Sequence, residues 1–270
     1  MDRKLLLYLS YDGRDFCGFQ AQPDKPNVQM ELNRAAEELF GFPCDVTGCS
    51  RTDSGVHAHM FCATIAKKGE PGLVTHVSPQ RVPRAMCVRL PDSISVYDAM
   101  WVPADFHPRY DVTSKEYIYR ILVSQQRDPF EIGRAWHFPF PLAPDGIGRM
   151  GRAAAHFVGT RDFSACMAVG SKIKDPTRHV MESEVTRVGD IVTFRVRADG
   201  FLYNMVRIMA GTLAMVGTGK VDPDSIPARL ASLDRSQMGR TAPPEGLYLN
   251  RVFYDDSGLP GWHGGDAYGS

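Results

Sequence analysis

Apolar positions in the first hundred residues recur with periods of two or of about 3.6, which predict strands and helices respectively. The spacing from Val28 to Phe40 is helical, with Asn27 placed to cap its start and Gly41 to end it. Apolar runs and alternation predict strands over 4–10, 61–65 and 93–101. This part of the chain is therefore predicted to form a strand, a helix and two further strands.

The rest of the chain shows the same mixture of periods after a proline-rich break near residues 103–108. Two alternating segments flank Gly189-Asp190 and predict a two-strand hairpin. The predicted elements are a strand over 115–123, a helix over 146–157, hairpin strands over 180–188 and 191–198, a helix over 204–216, a short helix over 224–233 and a strand over 247–254.

The order of these elements predicts an α+β fold. Strands and helices are segregated along the chain, which is typical of helices covering one face of a mainly antiparallel sheet. The element order is similar before and after the break, although there is no tight sequence repeat. We expect two related halves over residues 1–104 and 105–254, each a mainly antiparallel sheet with helices packed on one face. A flexible, glycine-rich tail is expected over 255–270.

Charge excludes one class of nucleic-acid binder. Lys plus Arg and Asp plus Glu both number 31 in 270 residues, so the formal net charge is zero. A protein that binds nucleic acid through a bulk positive field is strongly basic, and this chain is not. A local basic groove, assembled by folding, remains compatible with the composition.

Membrane insertion and an oxidising compartment are also disfavoured. The apolar run near the N-terminus is soon followed by Asp12 and Asp15, and no apolar stretch approaches membrane-spanning length. The six cysteines include no C-x-x-C pair. We therefore expect a reduced, cytoplasmic protein without a membrane partner.

The most unusual segment is the polar, glycine-bounded loop GCSRTDSGVHA over residues 48–58. Asp53 within it suits a nucleophile, an acid or base, or only a turn. His57, His59 and Cys49 do not complete a metal-ligand spacing, so no metal is expected. Dinucleotide, P-loop and serine-hydrolase motifs are missing from the sequence, and no cofactor is expected.

The loop is similar to the catalytic loop of the tRNA pseudouridine synthases of the TruA family, whose usual form is G-x-G-R-T-D-x-G-V-H-A. Four more blocks resemble that family in the same order: SYDGRDFCGFQAQ, FHPRYDVTSKEYIYRI, DGFLYNMVRIMAGTL and TAPPEGLYL. The resemblance implies the pseudouridine synthase fold, with an active-site cleft between its two halves. It also implies a cofactor-free isomerase that flips a uridine out of tRNA and rejoins the uracil to C1′ through C5.

The resemblance assigns three catalytic residues. Asp53 matches the family's catalytic aspartate, which could attack C1′ or uracil C6, or stabilise positive charge at C1′. Arg207 matches the arginine that pairs with this aspartate and opposes its desolvation. Tyr117 matches an active-site tyrosine that can stack on the extruded uracil and help remove a proton, whereas Tyr119 is predicted to lie in the core.

The resemblance also indicates the RNA-binding residues and the partner. Arg51, Arg109 and Lys115 are expected to contact the RNA, His57 to support the loop and contact RNA, and Leu247 to line the pocket. The expected substrate is the anticodon stem-loop of tRNA at positions 38, 39 and 40, bound by a homodimer, with no DNA partner. Because the net charge is zero, we expect a basic concave strip near these cations and acidic side chains on the opposite face.

Three departures from the family pattern concern conformation and not catalytic groups. Phe19 stands where tryptophan is usual, Ser50 replaces a glycine of the loop, and the segment 87–91 lacks the usual asparagine before Leu-Pro. Two other functions remain open. One is a non-catalytic tRNA-binding protein on the same scaffold, and the other is a glycosidase that combines Asp53 with Asp12 or Glu245.

Overall fold

The computed structural model describes residues 2–22, 24–170 and 173–255. The described chain contains ten named strands and five α-helices. The strands are β1 (Arg3–Tyr11), β2 (Cys44–Gly48), β3 (His57–Lys67), β4 (Ile94–Pro103), β5 (Val112–Val123), β6 (Trp136–Phe138), β7 (Gly159–Asp162), β8 (Thr177–Val188), β9 (Ile191–Ala198) and β10 (Leu247–Tyr254). The helices are α1 (Val28–Phe40), α2 (Val82–Cys87), α3 (Gly146–Ala155), α4 (Met205–Gly217) and α5 (Ile226–Ala231).

One mostly antiparallel sheet runs through the molecule in the order β4-β1-β3-β10-β5-β9-β8-β7. The last strand, β10, lies between the strands of the two halves: it pairs parallel with β3 and antiparallel with β5. The predicted α+β class is confirmed, and the strands expected as two sheets form one continuous sheet. The boundary at 104/105 remains a prediction, and residues 256–270 of the expected tail lie outside the described residues.

Local sequence explains helix α1. The Asn27 side chain accepts a hydrogen bond from the Met30 backbone N–H at 2.9 Å, which satisfies a free donor of the first turn. Gly41 ends the helix with φ 78°, a left-handed conformation that glycine adopts at low cost. Its buried residues, Val28, Leu32, Ala35 and Ala36, form one apolar stripe. The helix bounds agree with the prediction.

Other bounds differ from the prediction because tertiary packing decides them. Strand β3 begins at His57 and not at residue 61, because its first residues pair with β10 on one side and β1 on the other. Helix α3 ends at Ala155, two residues early. The short elements β2, α2, β6 and β7 were not predicted, because each is only three to six residues long and carries little periodic signal. Among the described residues, none of the helices is long and apolar enough to cross a membrane.

Helix α4 depends on the absence of a side chain at Gly211. A Cβ at this position would lie 1.9 Å from the Arg240 carbonyl oxygen, so the helix and the 239–242 segment approach backbone to backbone. We predict that Gly211→Ala lowers the free energy of unfolding by ~2 kcal/mol or more, because the clash forces the two segments apart.

The matched control is Gly151→Ala in α3, where an added Cβ meets nothing within 4 Å. This substitution should raise the free energy of unfolding by about 0.5–1 kcal/mol, because alanine favours the helix. Urea denaturation of both variants checks the pair, and equal effects would contradict the packing of α4.

Candidate functional site

A cavity of about 370 Å³ opens between the loop before β3, the middle of β5 and the start of α4. Both halves of the chain and β10 contribute to its wall. Its lining includes Ser50, Arg51, Thr52, Asp53, Val56, Arg109, Lys115, Tyr117, Ile173, Phe201, Leu202, Tyr203, Asn204, Met205, Val206, Arg207 and Leu247. Seven of the eight residues proposed from the sequence meet here, and only His57 does not.

Asp53 and Arg207 face each other across the cavity. Arg207 lies in the first turn of α4, and its Nη1 is 3.5 Å from Asp53 Oδ2. The arginine also donates from Nε to the Ala242 carbonyl oxygen at 2.7 Å and from Nη1 to Asn204 Oδ1 at 2.8 Å. The guanidinium is thus held by two neutral acceptors and one carboxylate, which satisfies a charge that would be costly to bury alone.

Burial and charge act in opposite directions on Asp53. Desolvation raises the pKa of its carboxyl group above the ordinary 3.8, and the positive charge and hydrogen bond of Arg207 oppose that rise. The side chain is 37% exposed, so it can be reached from the cavity. Arg207 therefore favours the ionised form that a nucleophile requires.

The loop that carries Asp53 rests on the segment that follows β1. The Tyr11 hydroxyl and Thr52 Oγ1 share a hydrogen bond of 2.8 Å. A Cβ on Gly13 would lie 2.0 Å from the Val56 carbonyl oxygen, and one on Gly18 would lie 2.4 Å from that of Thr52. Glycine is required at both positions for the two backbones to touch, and this contact fixes the loop.

Tyr117 and Leu247 form the apolar wall of the cavity. The Tyr117 hydroxyl shares a hydrogen bond of 3.2 Å with Ser50 Oγ, and its ring packs edge-on against Phe201 at 4.9 Å between centroids. Burial raises the pKa of the Tyr117 phenol well above its usual value, which keeps it protonated. The neighbouring Tyr119 is fully buried and donates to the Pro243 carbonyl oxygen at 2.7 Å, in agreement with its prediction as a core residue.

Cations dominate the polar lining. The lining contains one carboxylate, Asp53, and four cations: Arg51, Arg109, Lys115 and Arg207. Lys115 also has a structural contact: its Nζ donates to the Cys49 carbonyl oxygen at 2.7 Å, which ties β5 to the start of the Asp53 loop. Burial lowers the pKa of this ammonium group. The cavity is therefore basic, as the sequence predicts.

The opposite face of the sheet carries a cluster of carboxylates. Its carboxylates Glu116, Glu182 and Glu184 all contact Arg195, at 2.8, 2.8 and 2.7 Å. Arg195 offsets one of these three negative charges, and Arg197, which lies 3.4 Å from Glu182, offsets another. The expected acidic surface on this face remains a prediction.

His57 lies outside the cavity, which corrects its predicted contact with RNA. It is only 2% exposed, because it belongs to β3 and is covered by the Tyr248 ring at 4.5 Å. Its Nδ1 accepts a hydrogen bond from the Gly13 N–H at 3.1 Å, and burial lowers the pKa of the imidazole. This position supports the loop from behind. No cluster of three or more metal-ligating side chains was found in the part of the chain that the structure describes.

A sequence profile described as tRNA pseudouridine synthase matches residues 8–111 and 153–255, which is most of the chain. The chain belongs to the tRNA pseudouridine synthase family. It is 40% identical over 261 residues to tRNA pseudouridine synthase A of Bacillus pumilus (strain SAFR-032), covering 94% of this chain and 100% of the relative. The enzyme of the same name from Acetivibrio thermocellus is 41% identical over 253 residues, covering 93% of this chain and 100% of the relative.

A crystal structure of a Cbf5-Nop10-Gar1 complex is a more distant match. It shares 14% identity and a TM-score of 0.34, and the match covers 92% of this chain and 59% of that one. Membership of the synthase family rests on the sequence matches and not on this likeness.

Ten of the seventeen lining residues were not predicted as site residues from the sequence. Three of the ten, Phe201, Tyr203 and Asn204, lie just before α4 in the block that carries Arg207. Their position next to that arginine was the available signal. Asn204 resembles an ordinary helix cap in sequence, but its left-handed backbone, with φ 59°, was not visible there.

Arg207→Gln should raise the pKa of Asp53, because removing an adjacent positive charge disfavours the carboxylate. The pKa can be measured by a ¹³C NMR titration of the aspartate carboxyl carbons. Arg109→Gln is the control: Arg109 lines the same cavity but is not among the groups that shift Asp53. Equal titration of Asp53 in Arg207→Gln and the parent protein would contradict the electrostatic role of Arg207.

Proposed function

We propose that this protein isomerises uridine to pseudouridine in tRNA, with Asp53, Arg207 and Tyr117 as its catalytic residues. The observation that carries the proposal is the meeting of Asp53 from one half with Arg207 from the other, in a basic cavity of a family member. The cavity volume lies in the range of ligand pockets. The isomerisation needs no redox step and no external group, so no cofactor is expected.

The reaction requires a flipped nucleotide. The target uridine leaves its stack, and its uracil packs against Tyr117 and Leu247. The N1–C1′ bond breaks, the uracil turns within the cavity, and C5 bonds to C1′; the C5 proton is lost and N1 takes up a proton. Asp53 serves by attack on C1′ or C6, or by stabilising positive charge at C1′. Because burial keeps the phenol of Tyr117 protonated, stacking and orientation of the uracil are its first role.

Recognition of tRNA relies on local charge. We propose that Arg51, Arg109 and Lys115 contact the phosphates next to the flipped uridine, with Lys115 acting from the loop contact it already makes. The proposed substrate is the anticodon stem-loop at positions 38, 39 and 40, and the proposed location is the cytoplasm. The family relationship supports these assignments. The net charge of zero fits a binding surface confined to the cavity and its rim.

A glycosidase is the weaker alternative. Hydrolysis of a glycosidic bond usually needs two carboxyl groups that flank it. Neither Asp12 nor Glu245 lines the cavity, and Asp12 is paired with Arg14 at 2.7 Å. An isomerase that retains the uracil fits the single carboxylate better.

Tritium release from tRNA labelled at uridine C5 tests the proposal. The parent protein should release tritium and form pseudouridine, and Asp53→Asn should reduce release to background because the neutral amide cannot act as the carboxylate does. Asp45→Asn is the matched control, since Asp45 is an exposed residue of β2 just before the loop, and it should keep full activity. Free uracil among the products would instead indicate a glycosidase, and binding without either product a non-catalytic tRNA-binding protein.

We further propose that the protein acts as a homodimer. Phe130 and Ile132 are 83% and 59% exposed on the loop between β5 and β6, an apolar pair that a second copy could cover. Light scattering should give a mass about twice 30.0 kDa. A monomer at working concentrations that forms pseudouridine at full rate would contradict the dimer and leave the activity intact.

A further inference from the structure

Asn204 is used in an unusual way at the start of α4. An asparagine before a helix ordinarily accepts a hydrogen bond from a backbone N–H of the first turn. Asn204 makes no such bond, and its backbone is left-handed, with φ 59° and ψ 12°. Its Oδ1 instead accepts from Arg207 Nη1 at 2.8 Å. The side chain is therefore aimed at the arginine and not at its own helix.

The three contacts of Arg207 are unequal. The two neutral oxygens, Asn204 Oδ1 and the Ala242 carbonyl, lie at 2.8 and 2.7 Å, whereas Asp53 Oδ2 lies at 3.5 Å. Good N–H···O hydrogen bonds are 2.7–3.2 Å long. The neutral groups thus hold the guanidinium, and the ionic contact is the loosest of the three. Asp53 receives the field of the cation without being locked into a tight, two-pronged ion pair.

We propose that Asn204 is a positioning residue for the isomerisation: its amide oxygen fixes Arg207 at a distance that supports the ionised Asp53 while leaving the carboxylate free to reach the uridine. This inference rests on the proposed function of Asp53. It assigns Asn204 a role in the reaction although it need not touch the reacting atoms.

The residue type follows from two requirements at one position. A left-handed backbone is tolerated by glycine and, less easily, by asparagine and aspartate. A neutral acceptor is needed so that the positive charge of Arg207 is not offset by a second carboxylate and acts on Asp53. Glycine meets only the first requirement. Aspartate meets the first but adds a carboxylate that would compete for the same nitrogen of Arg207. Asparagine meets both.

The experiment compares Asn204→Gly and Asn204→Asp by pH profiles of tritium release from tRNA. Asn204→Gly keeps the backbone conformation and removes the acceptor, so kcat should fall at least about tenfold, with KM for tRNA within about twofold of the parent value. Asn204→Asp places a second negative charge beside Asp53. The acid limb of its profile should therefore move to higher pH, with its activity deficit shrinking as the pH rises.

Asn33→Asp is the control for the chemical change. Asn33 lies on α1, where its Oδ1 accepts from the Val46 N–H at 3.0 Å, far from the cavity lining. Its acid limb should match that of the parent protein. Thermal melting and a tRNA gel shift establish that each variant is folded and binds. A ¹³C NMR titration of Asp53 adds a readout independent of turnover, and the pKa of Asp53 should be higher in Asn204→Asp than in the parent.

A parent-like kcat and profile in Asn204→Gly would overturn the inference, as would an unchanged Asp53 titration in Asn204→Asp. Failure of the proposed function has a different signature, because the parent protein would then release no tritium at all.

Discussion

The site depends on keeping one carboxylate ionised while part of its hydration is removed. Burial raises the pKa of Asp53, and a single cation at 3.5 Å opposes that shift. The two groups come from different halves of the chain, separated by 154 residues, so the electrostatics of the site require the halves to be held in register. The chemistry of the cavity therefore depends on how the sheet holds the two halves together.

Strand β10 joins the two halves, because it pairs with a strand of each. It is the last strand of the described residues but lies in the middle of the sheet, parallel to β3 and antiparallel to β5. Its first residue, Leu247, lines the cavity, and its pairing with β5 places Leu249 opposite Tyr117. The Lys115 contact with the Cys49 carbonyl oxygen adds a second tie between β5 and the Asp53 loop. The cavity thus forms where three segments that are distant in sequence meet.

Sequence reasoning succeeded where local chemistry decides the structure. The cap at Asn27, the stop at Gly41 and the apolar stripe between them define α1 completely. It failed where long-range contacts decide: His57 looked like a loop residue able to contact RNA, and only the Tyr248 ring and the Gly13 N–H explain why it is buried. The left-handed backbone of Asn204 was not predicted either, although the Arg207 side chain that it contacts is only three residues away. The motif blocks identified seven residues that line one cavity. They did not predict the hydrogen bonds that orient those residues.

A chain with no net charge can still bind a polyanion when its cations converge, and four of them line the cavity that holds Asp53. The proposed reaction requires a uridine to flip into this cavity and meet that carboxylate. A crystal structure of the Asp53→Asn variant bound to an anticodon stem-loop RNA would show whether it does. We expect an extruded uridine packed between Tyr117 and Leu247, with C1′ or C6 facing the side chain at position 53. A target uridine still stacked in the RNA, or a base bound with both atoms turned away from that side chain, would contradict it.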